Sequence, residues 1–299
     1  MTDRKSAIAV ANRQVGRGSG RGFGRTPLQS QVLVEQAPVE KRHRGSAKLT
    51  RATGGGEMAL SPPHPSPSNV RLIPVLDVMN GVVVRGVGGR RADYQVVTSR
   101  LTSSAYPIEV ARALVDAYQP RELYLADLDA IQGAPPAVDI YWAIRELGVR
   151  LWVDAGVRDA AGARRVGEAG CDVVAGLETV PRPEALAEIV AAVGFERVVF
   201  SLDLRDGVPL RSWPLSPVPA AVACGVTRLI VLDLARVGGG TGTGTDELCR
   251  QIATVYPQVE VIAGGGIAGW DDVRRLEACG VRRVLVASAL HDGRISPES

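Results

Sequence analysis

The chain has 299 residues, 45% of them hydrophobic but only 4% aromatic, so any core must be aliphatic, and its length suits one large domain or two ordinary ones. No run of about 18 apolar residues suggests a membrane span, and no apolar stretch of the signal-peptide kind opens the sequence. Four scattered cysteines (Cys171, Cys224, Cys249, Cys279), with no CxxC pair, argue against a zinc site or a disulfide scaffold and fit a reducing cytoplasm, where the protein is expected to reside.

Residues 1–68 hold 11 Lys and Arg against 4 Asp and Glu, while residues 69–299 hold 24 Arg against 28 acidic residues. The body is mildly acidic and is not expected to bind nucleic acid or a membrane. All three lysines (Lys5, Lys41, Lys48) precede it, which excludes a Schiff base there. Residues 1–68 are dominated by Gly, Arg, Ser and Pro and lack hydrophobic periodicity, so they read as a disordered extension. That extension is either a basic arm whose partner the sequence does not name, or an inert segment preceding a true start at Met58.

From Asn69 onward, short β-branched runs alternate with amphipathic stretches. Strands are predicted at 71–78, 122–130, 150–157, 172–179, 197–204, 228–235, 259–267 and 283–290. Helical patterns lie between them, among them PIEVARALVDAY, AVDIYWAIRELG, AAGARRVGEAG, RPEALAEIVAAVG, TDELCRQIATVY and WDDVRRLEACG. Eight nearly continuous apolar strands, each followed by a helix, predict a (β/α)8 barrel over 69–299. An internal repeat relates residues 149–178 to 259–289, LYLADLDA to LIVLDLAR, and PVLDV to FSLDL, which makes the barrel two duplicated halves.

Active sites of such barrels lie at the carboxyl ends of the strands. Four predicted strands end on aspartate: Asp77, Asp127, Asp203 and Asp233. The repeat sets Asp77 and Asp203 symmetrically at the mouth, where two carboxyls make an acid–base couple, one protonated and one ionised. Any of the four could instead cap the following loops or pair with Arg85 and Arg236; Asp77 and Asp203 are read as the catalytic couple, while Asp127 and Asp233 fit either that structural role or a substrate-facing one.

After strand seven, Gly264, Gly265 and Gly266 allow main-chain amides to approach an anion, and Ala287 and Ser288 after strand eight complete a phosphate site. A plain tight turn is the other use of such glycines. The equivalent segment of the first half, with Gly156 and Gly176, has Asp154 and Ala155 where the second half has glycines. It reads as a weakened anion site that Arg158 and Thr179 could compensate. GGGTGTG (238–244) reads as a substrate-covering loop or a flexible linker. Trp213 could stack on a heterocycle or pack in the core, and Arg85 could reach a substrate anion or lie on the surface. His291 is read as a surface residue.

IPVLDVMNGVVVR, LADLDA, SLDLRDG, AGGGI with WDDVRRLEACG, and LVASALHDG together resemble the HisA/HisF family of histidine biosynthesis over about residues 70–295. That family comprises the phosphoribosylformimino-aminoimidazole-carboxamide ribotide (ProFAR) isomerase and the cyclase subunit of imidazole glycerol phosphate synthase. The resemblance implies an Amadori-type aldose–ketose isomerisation of a phosphoribosyl-type substrate, with Asp77 and Asp203 as general acid and base and no cofactor or metal. The partner it implies is a phosphorylated small molecule. Two departures stand out: Leu232 and Val237 occupy the places of the isomerases' Thr and Asp at strand six, and the first anion loop has lost glycines. They point to a HisA/HisF-related paralogue acting on a singly phosphorylated metabolite of cofactor or one-carbon metabolism, or to a non-catalytic phosphate-binding barrel, as alternatives.

Overall fold

A computed structural model describes residues 69–296. The expectations for residues 1–68, including the disordered basic extension and a start at Met58, lie outside the described residues.

Within them, strands β1 (Arg71–Met79), β2 (Val82–Arg85), β3 (Gln95–Val96), β4 (Glu122–Asp127), β5 (Arg150–Asp154), β6 (Asp172–Gly176), β7 (Val198–Arg205), β8 (Val208–Pro209), β9 (Arg228–Asp233), β10 (Glu260–Gly264) and β11 (Arg283–Val286) form one sheet. Its parallel members run β1, β4, β5, β6, β7, β9, β10, β11, and β11 pairs back onto β1 through Arg71–Arg283 to Pro74–Val286. The sheet is therefore a closed eight-stranded parallel barrel, as the apolar runs predict. Each of these strands sends one large apolar side chain into the interior: Ile73, Tyr124, Trp152, Val174, Val199, Ile230, Ile262 and Leu285 pack as one cluster. Their filling makes the barrel a solid core instead of a pore.

The amino ends of the strands close the floor with charge. Asp172 accepts from Arg228 at 2.7 Å and pairs with Arg150 at 2.7 Å, and the guanidiniums of Arg228 and Arg283 lie 5.2 and 5.6 Å from the Trp152 ring.

The helices are α1 (Pro107–Tyr118), α2 (Leu128–Ile131), α3 (Val138–Arg145), α4 (Ala160–Glu168), α5 (Pro183–Val193), α6 (Pro217–Ala223), α7 (Asp246–Val255), α8 (Trp270–Glu277) and α9 (Ser288–His291). Proline at the first turn fixes φ where no amide partner is needed, as in α1, α5 and α6. In α1, Val110, Ala111 and Leu114 form the stripe that faces the sheet. No helix among the described residues is long and apolar enough to cross a membrane.

The barrel halves repeat each other in detail. β1 turns into β2 through Asn80–Gly81 (φ 52 and 77), and β7 turns into β8 through Asp206–Gly207 (φ 53 and 77). Both central residues are left-handed, as a two-residue hairpin turn matched to strand twist requires.

Several predicted strands end two to four residues early. The segment 122–130 stops at Asp127, 228–235 at Asp233, and 283–290 at Val286, because the following residues wind into α2, a 3-10 turn (Leu234–Arg236) and α9. The side chains of Asp127 and Asp233 cause two of these stops. Asp127 is buried and accepts the amides of Ala130 (3.0 Å) and Ala137 (2.9 Å) and the hydroxyl of Tyr141. Asp233 accepts the amides of Ala235, Gly207 and Asp206 at 3.0, 2.8 and 3.1 Å. Neither lines the mouth of the barrel, so the substrate-facing reading of both is corrected to the capping one; their partners are backbone amides and a tyrosine, not Arg85 or Arg236. Asp127→Ala would leave three donors unmet, two of them buried, and is expected to cost about 3 kcal/mol or more in urea unfolding; a loss below about 1 kcal/mol would contradict the capping role.

Candidate active site

A cavity opens at the carboxyl rim, and its walls differ in chemistry by strand. Asp77 (β1), Asp154 (β5), Glu178 (after β6) and Asp203 (β7) make an acidic side. Leu232, Leu234 and Val237, on β9 and its following turn, make an apolar side. Gly265, Gly266, Ala287, Ser288 and Arg294 make the third.

Asp77 and Asp203 thus meet over a common space. Asp77 is only partly covered from solvent, yet the protein around it is dense enough that desolvation raises its pKa to about 7, against the pull of Arg91. Asp203 is buried, and desolvation, helped by the nearby charge of Asp154, raises it to about 7; a hydrogen bond from Ser201 Oγ (2.6 Å) and one from the Glu178 amide (3.0 Å) partly offset this. Asp154 rises to about 6, mainly by desolvation, with the Gly156 amide (3.0 Å) opposing. Three carboxyls raised by desolvation and gathered in one cleft make this cavity the candidate functional site.

Gly176 makes room for this group. A side chain there would begin 2.9 Å from Asp203 Oδ2 and 3.6 Å from Asp154 Oδ2. Tyr124 reaches Asp154 through its hydroxyl at 3.4 Å. Tyr94, whose pKa burial and the charge of Asp77 push up to about 12, also lines the cavity and stays neutral. Arg91 donates from one nitrogen to both oxygens of Glu178, at 2.9 and 3.0 Å.

At the opposite side, Gly265 and Gly266 have φ of 85 and 82, a conformation open to glycine at little cost. A Cβ on Gly266 would sit 2.6 Å from the Gly242 carbonyl oxygen and 2.9 Å from that of Arg236. The segment 238–244 is packed here: the Gly242 amide donates to Gly266 O at 2.9 Å, and Gly238 and Gly240 line the cavity. Gly238 lies so close to Gly86 that no side chain fits between them. The two glycine-rich loops after β2 and β9 therefore interlock over the rim.

Arg294 supplies a cation at the glycine side. Its Nη2 donates to Asp292 at 3.0 Å, and Asp292 is also gripped by both Nη atoms of Arg85, at 2.9 and 3.0 Å. Burial would raise Asp292, but the two guanidiniums hold it below the usual range. Arg85 is thereby neither a free surface group nor part of the cavity wall; it acts behind the rim.

Other expected site residues lie elsewhere. Gly264 is buried at the end of β10 with Leu285 and Leu232 beside it, and precedes the cavity surface. Gly156 is backed by Ile131, and a Cβ there would lie 2.6 Å from the Ile131 Cα, so it faces a neighbouring loop and not the cavity. Trp213 is buried in the outer core, its ring centroid 5.5 Å from that of Phe200, and is corrected from stacking platform to packing residue. His291 is buried, with Nδ1 3.0 Å from Ser99 Oγ, and is not a surface residue. Arg91, Tyr94, Tyr124, Glu178 and Arg294 escaped sequence reasoning: Arg91, Tyr94 and Arg294 sit in connections with no strand-end position to mark them, and Glu178 lies near the end of a predicted strand that in the structure stops at Gly176.

A closed parallel barrel with titratable carboxyls and a glycine-lined rim at its carboxyl face defines a (β/α)8-barrel enzyme. Residues 71–296 match the family described as histidine biosynthesis protein. The chain is 37% identical over 183 residues to 1-(5-phosphoribosyl)-5-((5-phosphoribosylamino)methylideneamino)imidazole-4-carboxamide isomerase of Deinococcus radiodurans, covering 58% of this chain and 76% of the relative. It is 32% identical over 239 residues to the isomerase of the same name from Desulforudis audaxviator, covering 75% and 87%. It is also 32% identical over 235 residues to an uncharacterised protein of Methanocaldococcus jannaschii, covering 77% and 96%. The chain belongs to the histidine biosynthesis protein family and is an enzyme of its isomerase kind.

Proposed function

We propose that the enzyme carries out an Amadori-type aldose–ketose isomerisation of a phosphoribosyl glycosylamine, with Asp77 and Asp203 as the acid–base couple. The observation that carries this reading is that two repeat-related carboxyls, both titrating near 7, line one cavity with a main-chain rim suited to a phosphate. The names of the curated isomerases, which include two phosphoribosyl groups, support a substrate of this class.

The chemistry follows from one protonated and one ionised carboxyl. The acid gives its proton to the ribose ring oxygen as the bond from that oxygen to C1 breaks, and the nitrogen lone pair forms the iminium. The base then removes the C2 proton; its electron pair forms C1=C2 and the iminium electrons return to nitrogen. Loss of the enol proton from the C2 oxygen and protonation of C1 give the aminoketose. No atom is gained or lost, and each step is a proton transfer of the kind a carboxyl tuned to neutral pH accelerates.

A second reading is favoured by Leu232 and Val237, which make the β9 wall apolar where the resemblance to the family's isomerases implies Thr and Asp. In it, the enzyme takes a different, singly phosphorylated metabolite, as in cofactor or one-carbon metabolism. The test is direct. Purified enzyme is given ProFAR and, separately, an N-(5-phosphoribosyl)arylamine, and aminoketose formation is followed by absorbance. Conversion of either supports the isomerase reading. Phosphate binding with conversion of neither would replace it with the second.

A further inference from the structure

We propose that Asp154 has taken over the anion subsite of the N-terminal half-barrel, so that the substrate carries one phosphate, seated at Gly265, Gly266 and Ser288, and presents a hydrogen-bond donor to Asp154 where a second phosphate would otherwise lie. This deepens the isomerase reading and rests on it only for the identity of the phosphorylated ligand.

The two half-barrels offer related loops on opposite sides of the mouth. In the C-terminal half β10 runs into Gly264, Gly265 and Gly266, the last two at positive φ. In the N-terminal half β5 runs into Asp154, Ala155 and Gly156, and only Gly156 has positive φ, at 63. Ala155 does not take the left-handed conformation of Gly265, which would strain its Cβ. The loop therefore follows another course, and its donors are spent internally.

Asp154 Oδ1 accepts the Gly156 amide at 3.0 Å, and Asp203 Oδ2 accepts the Glu178 amide at 3.0 Å. The groups that could compensate are also engaged. Arg158 donates to the carbonyls of Gly156 (3.3 Å) and Ile131 (3.2 Å), and the Thr179 hydroxyl donates to that of Val157 (3.2 Å). Arg91 is held on Glu178. A phosphate brought to this side would find amides already occupied and carboxylates facing it. An amine or amide would find Asp154 and the Tyr124 hydroxyl.

Inorganic phosphate provides a probe that needs no turnover. Equilibrium dialysis of the full chain is expected to give one phosphate per wild-type chain, and two per chain for Asp154→Gly combined with Ala155→Gly, which restores the glycine run. Two phosphates on the wild type, or one on the folded double variant, would overturn the proposal; the wild-type count decides even if the double variant does not fold. No phosphate on the wild type would overturn both this proposal and the anion rim of the isomerase reading. One phosphate without Amadori turnover would remove that reading and leave this one standing.

Discussion

Asp77→Asn and Asp203→Asn are each expected to lower kcat of the Amadori reaction by about 100- to 10,000-fold, the usual worth of a positioned acid or base, while leaving ligand affinity within a few-fold. Asparagine keeps the shape and much of the hydrogen bonding of the side chain but cannot exchange a proton near pH 7. At Asp203 the amide oxygen can still accept from Ser201 or from the Glu178 amide, so the β6–α5 loop is expected to stay in place. Stability gives an independent readout for Asp77. Its pKa is raised by the fold from 3.8 to about 7, so the folded state binds the extra proton between those values and stability falls as pH rises through that window. Asp77→Asn should therefore be more stable than wild type at pH 8, and the gain should shrink as pH falls towards 4. A variant that is both inactive and less stable at pH 8 would indicate damage to the fold instead of loss of an acid or base.

The second large effect is expected at Gly266. Gly266→Ala should raise KM for a phosphorylated substrate at least about tenfold, because a methyl group there meets the backbone carbonyls of Gly242 and Arg236 at 2.6 and 2.9 Å, in addition to about 1 kcal/mol of left-handed strain. The segment 238–244 must shift, and with it Gly238 and Gly240 at the cavity wall. Gly81→Ala separates the two contributions. Gly81 also has positive φ, at 77, but a Cβ there has nothing within 4 Å, so its substitution should cost stability alone and leave KM unchanged. Equal KM for the two variants would show that close packing of the 238–244 segment on Gly266 has no part in binding.

The contrast between Asp77 and Asp127 explains what could and could not be read from the sequence. Both end apolar runs and both precede a polar turn. Asp77 is followed by Val-Met-Asn-Gly, so the strand continues into a hairpin; the chain stays extended, Asp77 pairs across to Val84, and its carboxyl is left to the cavity. Asp127 is followed by Leu-Asp-Ala, which winds at once into α2 and points its amides back at the carboxyl. The deciding information lies in the residues after the strand, and the Asn80–Gly81 and Asp206–Gly207 dipeptides carry it as hairpin signals.

The barrel itself was legible because closed parallel sheets bury both faces of each strand, which leaves long apolar runs. The rim at Gly265 and Ser288 was legible from its place after the last two barrel strands. The Arg91–Glu178 pair was not, since 87 residues separate the partners and each belongs to a connection whose course only the packed loops determine. The alternation predicts a helix after the fifth barrel strand but does not pick out its segment: Pro-Val-Pro-Ala-Ala-Val-Ala of α6 is short and proline-punctuated, with little periodicity to mark it.

The pH dependence of kcat for the wild-type enzyme tests the acid–base couple most directly. With both carboxyls titrating near 7, protonating the pair removes the base and ionising the pair removes the acid. The expected profile is a bell with its maximum near neutrality and a limb falling on each side. Turnover that stays level from pH 5 to pH 9 would contradict the assignment of Asp77 and Asp203.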